Sequence, residues 1–203
     1  MDIDANTHHY AVFPTVIQTT VHPEAERLNA PMLAELERLA RIIPNSLSPR
    51  ATAHHYTTMW NYNDLQDRPI FEEFTGFIKN ELSSFAEEQS ITVPESGIII
   101  KEMWFNIYNK SECKDIHHHP NSLFTGVYFV KAPDGSAPLV IKSEIIDNMI
   151  AVLVTEDNEY NSRGKVIEAE PGKLVLFNSN VMHSTWPQSI EDTRVTICFT
   201  AVM

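Results

Sequence analysis

A chain of 203 residues fits one domain with a substantial core and leaves little room for a second. Its 27 acidic against 15 basic residues give a formal net charge of -12, which argues against nucleic acid as the main partner, because phosphate backbones require clustered positive surface and the basic residues here are scattered. Two cysteines, Cys113 and Cys198, cannot make a disulfide framework, the opening Met-Asp-Ile-Asp lacks signal-peptide character, and the apolar runs are too short to span a membrane, so a cytoplasmic protein is expected.

In chain order, residues 10–18 have the β-branched and aromatic content of a short strand, and Pro14 assigns it to a sheet edge. Asn29 offers an N-cap, Pro31 sits in the first turn, and Met32, Leu33, Leu36, Leu39 and Ala40 recur at helical spacing to about Ile43, where Pro44 stops the pattern. Residues 46–67 have no steady period and read as a loop with a short strand near His55 to Trp60. Asp67 and Pro69 repeat the cap-and-proline signature. The stripe Ile70, Phe71, Phe74, Phe77, Ile78, Leu82 and Phe85 then predicts a second amphipathic helix to about Glu88.

From Ile98 the character changes. Residues 98–108, 123–131, 139–142, 149–155, 164–168, 173–177 and 194–203 are β-rich runs separated by Pro-Asp-Gly, Pro-Gly and Asn-Ser turns. Helices first and strands afterwards indicate an α+β fold, a single domain over 1–203 in which the helices of 1–97 pack on one face of an antiparallel β core formed by 98–203.

Position separates the nine histidines. His8, His9, His54 and His55 lie in polar, poorly patterned segments and His22 precedes a proline, so each reads as solvated or locally hydrogen-bonded. Asp115-Ile116-His117-His118-His119-Pro120 instead runs into a strand, and a two-residue spacing in extended chain places His117 and His119 on one face with His118 turned away. Two imidazoles can then reach one metal, although an isolated His-x-His is about as readily a chance cluster on a polar hairpin. Context favours the metal. A Pro171-Gly172 turn starts a buried strand that ends in a polar loop carrying His183, suited to deliver a third ligand. Arg194 then opens the last strand, where it shares a face with Thr196, and a guanidinium beside a hydroxyl is a good carboxylate receptor.

Together these residues resemble the Fe(II)/2-oxoglutarate-dependent dioxygenases on the double-stranded β-helix (jelly-roll) fold, whose pattern is His-x-Asp/Glu, a distal His, then Arg-x-Ser/Thr. The chain is most similar to a bacterial and phage group with Trp-x-Asn-x-Tyr, His-x-His-Pro and Ser-Gly-Val-Tyr-Tyr. Those motifs stand here as Trp104-Phe105-Asn106-Ile107-Tyr108, His117-His118-His119-Pro120 and Thr125-Gly126-Val127-Tyr128-Phe129, and the resemblance covers roughly residues 100–203.

The resemblance implies an oxygenase, expected to be a hydroxylase, that uses Fe(II), 2-oxoglutarate and O2. His117, His119 and His183 would be its catalytic metal ligands, and Arg194 with Thr196 would receive the far carboxylate of 2-oxoglutarate. It departs from the wider superfamily at His119, where a carboxylate is usual. Asp115, on the same strand face as His117, is the alternative source of one. Asn106, Tyr108 and Tyr128 are expected to hydrogen-bond the co-substrate, with core packing as the competing role for the tyrosines. The prime substrate is left open, a homodimer is an option, and the host cytoplasm would be the location if the source is viral. The rival readings are a cupin-type dioxygenase or isomerase without 2-oxoglutarate, and a non-catalytic jelly-roll binding or structural module.

Overall fold

A computed structural model describes residues 7–47, 54–143, 153–156, 158 and 160–203. The chain forms strand β1 (Ile17–Val21), helix α1 (Ala25–Ala40), the short strand β2 (Tyr56–Thr57), two 3-10 turns (Leu65–Asp67 and Pro69–Phe71) and helix α2 (Glu72–Glu88). Eight further strands follow: β3 (Ile99–Tyr108), β4 (Lys114–His117), β5 (Phe124–Lys131), β6 (Leu139–Lys142), β7 (Gly164–Ile167), β8 (Lys173–Asn178), β9 (Met182–Thr185) and β10 (Arg194–Val202). They make two antiparallel sheets, a six-stranded one in the order β1-β8-β5-β10-β3-β2 and a four-stranded one in the order β4-β9-β6-β7.

The period of two along the large sheet sorts its side chains into two cores. Met103, Phe105, Phe124, Tyr128, Leu174, Leu176, Ile197 and Phe199 share one buried cluster with Leu28, Met32 and Leu36 of α1 and Phe74, Ile78, Leu82 and Phe85 of α2. The alternate residues Trp104, Val127, Phe129, Val175, Phe177 and Cys198 join Leu139, Ile141 and Ile167 of the small sheet in the second cluster. Gly126 faces the first cluster, and a Cβ there would stand 2.1 Å from the Phe199 ring, so only glycine lets β5 and β10 pair while that ring lies flat across them.

Several elements depart from the sequence expectation. Helix α1 starts at Ala25, with Glu24 as its half-helical first residue, so Asn29 is no cap and Pro31 lies inside the helix. Asn29 is buried and accepts a 2.8 Å hydrogen bond from the Tyr128 hydroxyl, a tertiary partner that a cap reading does not anticipate. The second helix begins with the two 3-10 turns, and Asp67 ends the first of them. The edge strand forms after Pro14 rather than across it, because Phe13 adopts a φ of 63° and stands exposed. Strand β9 was expected as a polar loop, and β4 was anticipated only as extended chain around His117. Of the run expected over 149–155, residues 149–152 lie outside the described residues and 153–155 form no strand.

Candidate metal centre

The chain crosses between layers at the turn after β8. Val181 N–H closes it on Asn178 O at 3.0 Å, and the next residues form β9 in the small sheet rather than a loop. His183 on β9 is thereby paired directly with His117 at the end of β4. His119 lies two residues past β4, and its backbone N–H donates to Ser179 O at 2.9 Å, which ties it to the same crossing turn. One ligand-capable atom from each of His117, His119 and His183 lies within 4.8 Å of the others, the one such group of His, Cys, Asp and Glu side chains among the described residues.

The rings are oriented for a metal. His117 Nδ1 faces Asp115 O at 2.8 Å and His183 Nδ1 faces Val181 O at 3.0 Å. A carbonyl can only accept, so both Nδ1 atoms carry the proton and both Nε2 atoms present lone pairs. Burial, with the clustering of the rings and the nearby Lys114 adding to it, holds His117 at about 2, His119 at about 3 and His183 at about 4, so all three stay neutral at physiological pH. Three neutral imidazoles on adjacent segments suit a first-row divalent metal such as ferrous iron and leave further coordination positions to other ligands. Asp115 is not a member of the group. A β-bulge between Lys114 and His117 breaks the period of two, so Lys114 rather than Asp115 shares the inward face with His117.

The histidines open on a partly enclosed pocket between the sheets. Arg194 and Thr196 of β10 and Asn106 and Tyr108 of β3 line it, as expected from their strand faces. Arg194 is 1 % exposed, with its guanidinium carbon 4.1 Å from the centre of the Tyr108 ring. Its Nη1 donates to Ala137 O, but its Nε has no partner, and it makes no ion pair with a carboxylate among the described residues. Burial lowers its pKa, yet a guanidinium stays protonated in proteins, so this is a buried positive charge without a counter-ion. Asn106 Nδ2 lies 3.4 Å from Thr196 Oγ1 and 3.2 Å from Cys198 Sγ, and the threonine hydroxyl also lies 3.9 Å from that sulfur.

Tyr128 is not brought to the cavity. It lies on the helix-facing side of β5, in contact with Phe74 at 4.6 Å between ring centres, while Thr125, Val127 and Phe129 face the site. The sequence reading also missed His55. This ring is buried, stacks on Tyr108 at 4.8 Å with an 8° tilt, and leaves Nδ1 without a partner. Desolvation pulls it down to about 4. A signal was present, because the short strand expected near His55 to Trp60 would place His55, Thr57 and Met59 on one face, and all three line the cavity.

Residues 102–200 match the family described as "Putative 2OG-Fe(II) oxygenase". No curated protein matches the chain. Among solved structures, the fold is shared with a prolyl-4-hydroxylase from Pseudomonas putida at a TM-score of 0.64 and 12% identity, covering 92% of each chain. HygX from Streptomyces hygroscopicus, with nickel and 2-oxoglutarate bound, aligns at a TM-score of 0.61 and 14% identity, over 93% of this chain and 83% of that one. A collagen prolyl hydroxylase of Paramecium bursaria Chlorella virus-1, in complex with 2-oxoglutarate, aligns at 0.56 and 9% identity, over 91% and 94%. The family match favours neither the cupin reading nor the non-catalytic one. Over residues 102–200 the chain carries a 2OG-Fe(II) oxygenase domain, the mark of non-heme iron enzymes that use 2-oxoglutarate and O2 to oxidise a substrate.

Proposed function

We propose that His117, His119 and His183 hold Fe(II), and that Arg194, with Thr196 and Asn106 beside it, receives the far carboxylate of 2-oxoglutarate, in a hydroxylase built on a double-stranded β-helix with the N-terminal helices supporting one face. The observation that carries this reading is the buried, anion-less Arg194 in the same cavity as the histidine trio. A buried cation is costly without a counter-charge, and a charge-assisted pair to a carboxylate relieves that cost. When bound, iron with 2-oxoglutarate and O2 supplies the oxidising power, converting the co-substrate to succinate and carbon dioxide as the substrate is oxidised.

The chain's own residues do the rest. The carbonyls of Asp115 and Val181 fix two ring tautomers, so the lone pairs point inward without rearrangement. Tyr108 stacks against the Arg194 guanidinium and keeps its plane from turning, while burial pushes the phenol's pKa up and keeps it neutral beside the carboxylate site. Trp104, Val127, Phe129 and Leu139 make the apolar walls that restrict water.

Calorimetry on the anaerobic Fe(II)-loaded protein tests the assignment. Arg194→Gln should weaken 2-oxoglutarate at least tenfold with metal still bound, and His183→Ala should lower metal affinity at least a hundredfold. Unchanged 2-oxoglutarate affinity in Arg194→Gln would overturn the carboxylate assignment.

A further inference from the structure

The cavity lining is cationic in a chain whose net charge is -12. Besides four histidines it contains two basic side chains, Arg194 and Lys114, and no aspartate or glutamate. Lys114 owes its place to the bulge in β4, and its backbone N–H is fixed to Thr185 Oγ1 at 2.9 Å. Its ammonium makes no hydrogen bond and no ion pair among the described residues, and the burial that pushes its pKa below the usual lysine range makes that state costly. Asp115 is felt at Lys114 but is not part of the lining.

A charge count follows, resting on the metal and co-substrate reading above. Three neutral imidazoles leave both positive charges of Fe(II) uncompensated, and Arg194 and Lys114 add one each. The dianionic 2-oxoglutarate cancels two and leaves two over. A carboxylate at the position of His119 would have removed one of them. The acidic exterior does not supply the balance, because its field is screened over about 8 Å at physiological ionic strength.

We infer that the prime substrate is a small oxyanion, a carboxylate or phosphate compound, and that Lys114 is the residue that binds its anionic group. Lys114 sits on the His117 face of β4, whereas Arg194 opens β10 in the other sheet, so one site can hold two anions at separate anchors. The unpartnered Nδ1 of His55 is the nearby acceptor for a hydroxyl or amine on the same molecule.

The test is calorimetry under anaerobic conditions on Fe(II)-loaded protein saturated with 2-oxoglutarate, titrated in separate arms with acetate and with inorganic phosphate as minimal probes. At least one should bind to the wild type, with the stronger arm identifying the substrate's anionic group. Lys114→Gln should weaken that probe at least tenfold and change 2-oxoglutarate affinity less than threefold, and Lys114→Arg should restore binding. Circular dichroism on each variant reports folding separately. If neither probe binds the 2-oxoglutarate complex, or if Lys114→Gln binds it as the wild type does, the inference fails. If Lys114→Gln instead loses 2-oxoglutarate tenfold, Lys114 anchors the co-substrate and the inference also fails. Failure of the wild type to bind 2-oxoglutarate at all would be the distinct failure of the underlying reading.

Discussion

A ring nitrogen that faces a carbonyl oxygen has no choice of tautomer, and this settles more about the histidine cluster than its spacing does. His117 and His183 each spend Nδ1–H on a main-chain oxygen and keep Nε2 for a ligand, whereas His118 points out of the cluster and is exposed. The expected outcome is an asymmetry within one tripeptide. His118→Ala should leave iron affinity within about twofold, while His117→Ala should lower it a hundredfold or more, as read by metal titration with a competing chelator. Equal losses in both would mean that the triplet acts through local structure rather than through two of its rings. His117, His119 and His183 were legible because strand period and motif order pointed the same way. His55 was passed over because its polar segment gave no reason to expect burial, although the short strand expected there sets it on one face with Thr57 and Met59.

At the scale of elements, the long strands were legible and the irregular ones were not. Strands β3, β5, β8 and β10 carry continuous β-forming runs, and their predicted bounds differ from the observed ones by a residue or so. Strand β4 is polar and bulged, and β9 is four residues long, so neither produces a pattern that composition can reveal. Those two strands carry two of the three clustered histidines, His117 and His183, so the candidate site falls where local regularity ends. Tyr128 illustrates the opposite error, in which a motif resemblance outweighed strand parity. Its hydroxyl is committed to Asn29 of α1 at 2.8 Å, and it stands on the far side of β5 from the cavity. Tyr128→Phe should therefore lower the unfolding free energy by about 1–2 kcal/mol, because the buried Asn29 oxygen loses its donor, and should leave 2-oxoglutarate affinity unchanged. Denaturant midpoints and calorimetry on one preparation separate the two; a tenfold loss of co-substrate affinity would return Tyr128 to the site.

For the whole molecule, the three buried cavity histidines make stability depend on pH in a definite direction. His55 and His183 are held near 4 and His119 near 3, against an ordinary 6.5, chiefly by desolvation. The unfolded chain therefore takes up these protons first as pH falls. The stabilisation is fully present above about pH 6.5 and is lost progressively on acidification towards pH 4, at up to ~1.4 kcal/mol per pH unit for each histidine. Thermal unfolding of the metal-free protein should show a steep fall in Tm across that window, and bound metal should raise Tm while leaving the fall at least as steep, because ligated rings take up no protons in the folded state. A flat Tm between pH 6.5 and 4 would contradict neutral, desolvated rings.

One feature of the architecture reaches beyond the chemistry. The histidines on β4 and β9 belong to the small sheet, whereas Arg194, Thr196 and Asn106 belong to the large one, and the two sheets share no strand. A co-substrate with one end at the metal and the other at Arg194 is therefore a cross-brace between layers, one that a cell can insert or withdraw. Strands of four residues have little cohesion of their own, so the tightness of the small sheet becomes a function of co-substrate supply, worth about 2.7 kcal/mol when its concentration reaches a hundredfold of Kd. A cell short of 2-oxoglutarate would then hold a looser protein as well as a slower enzyme.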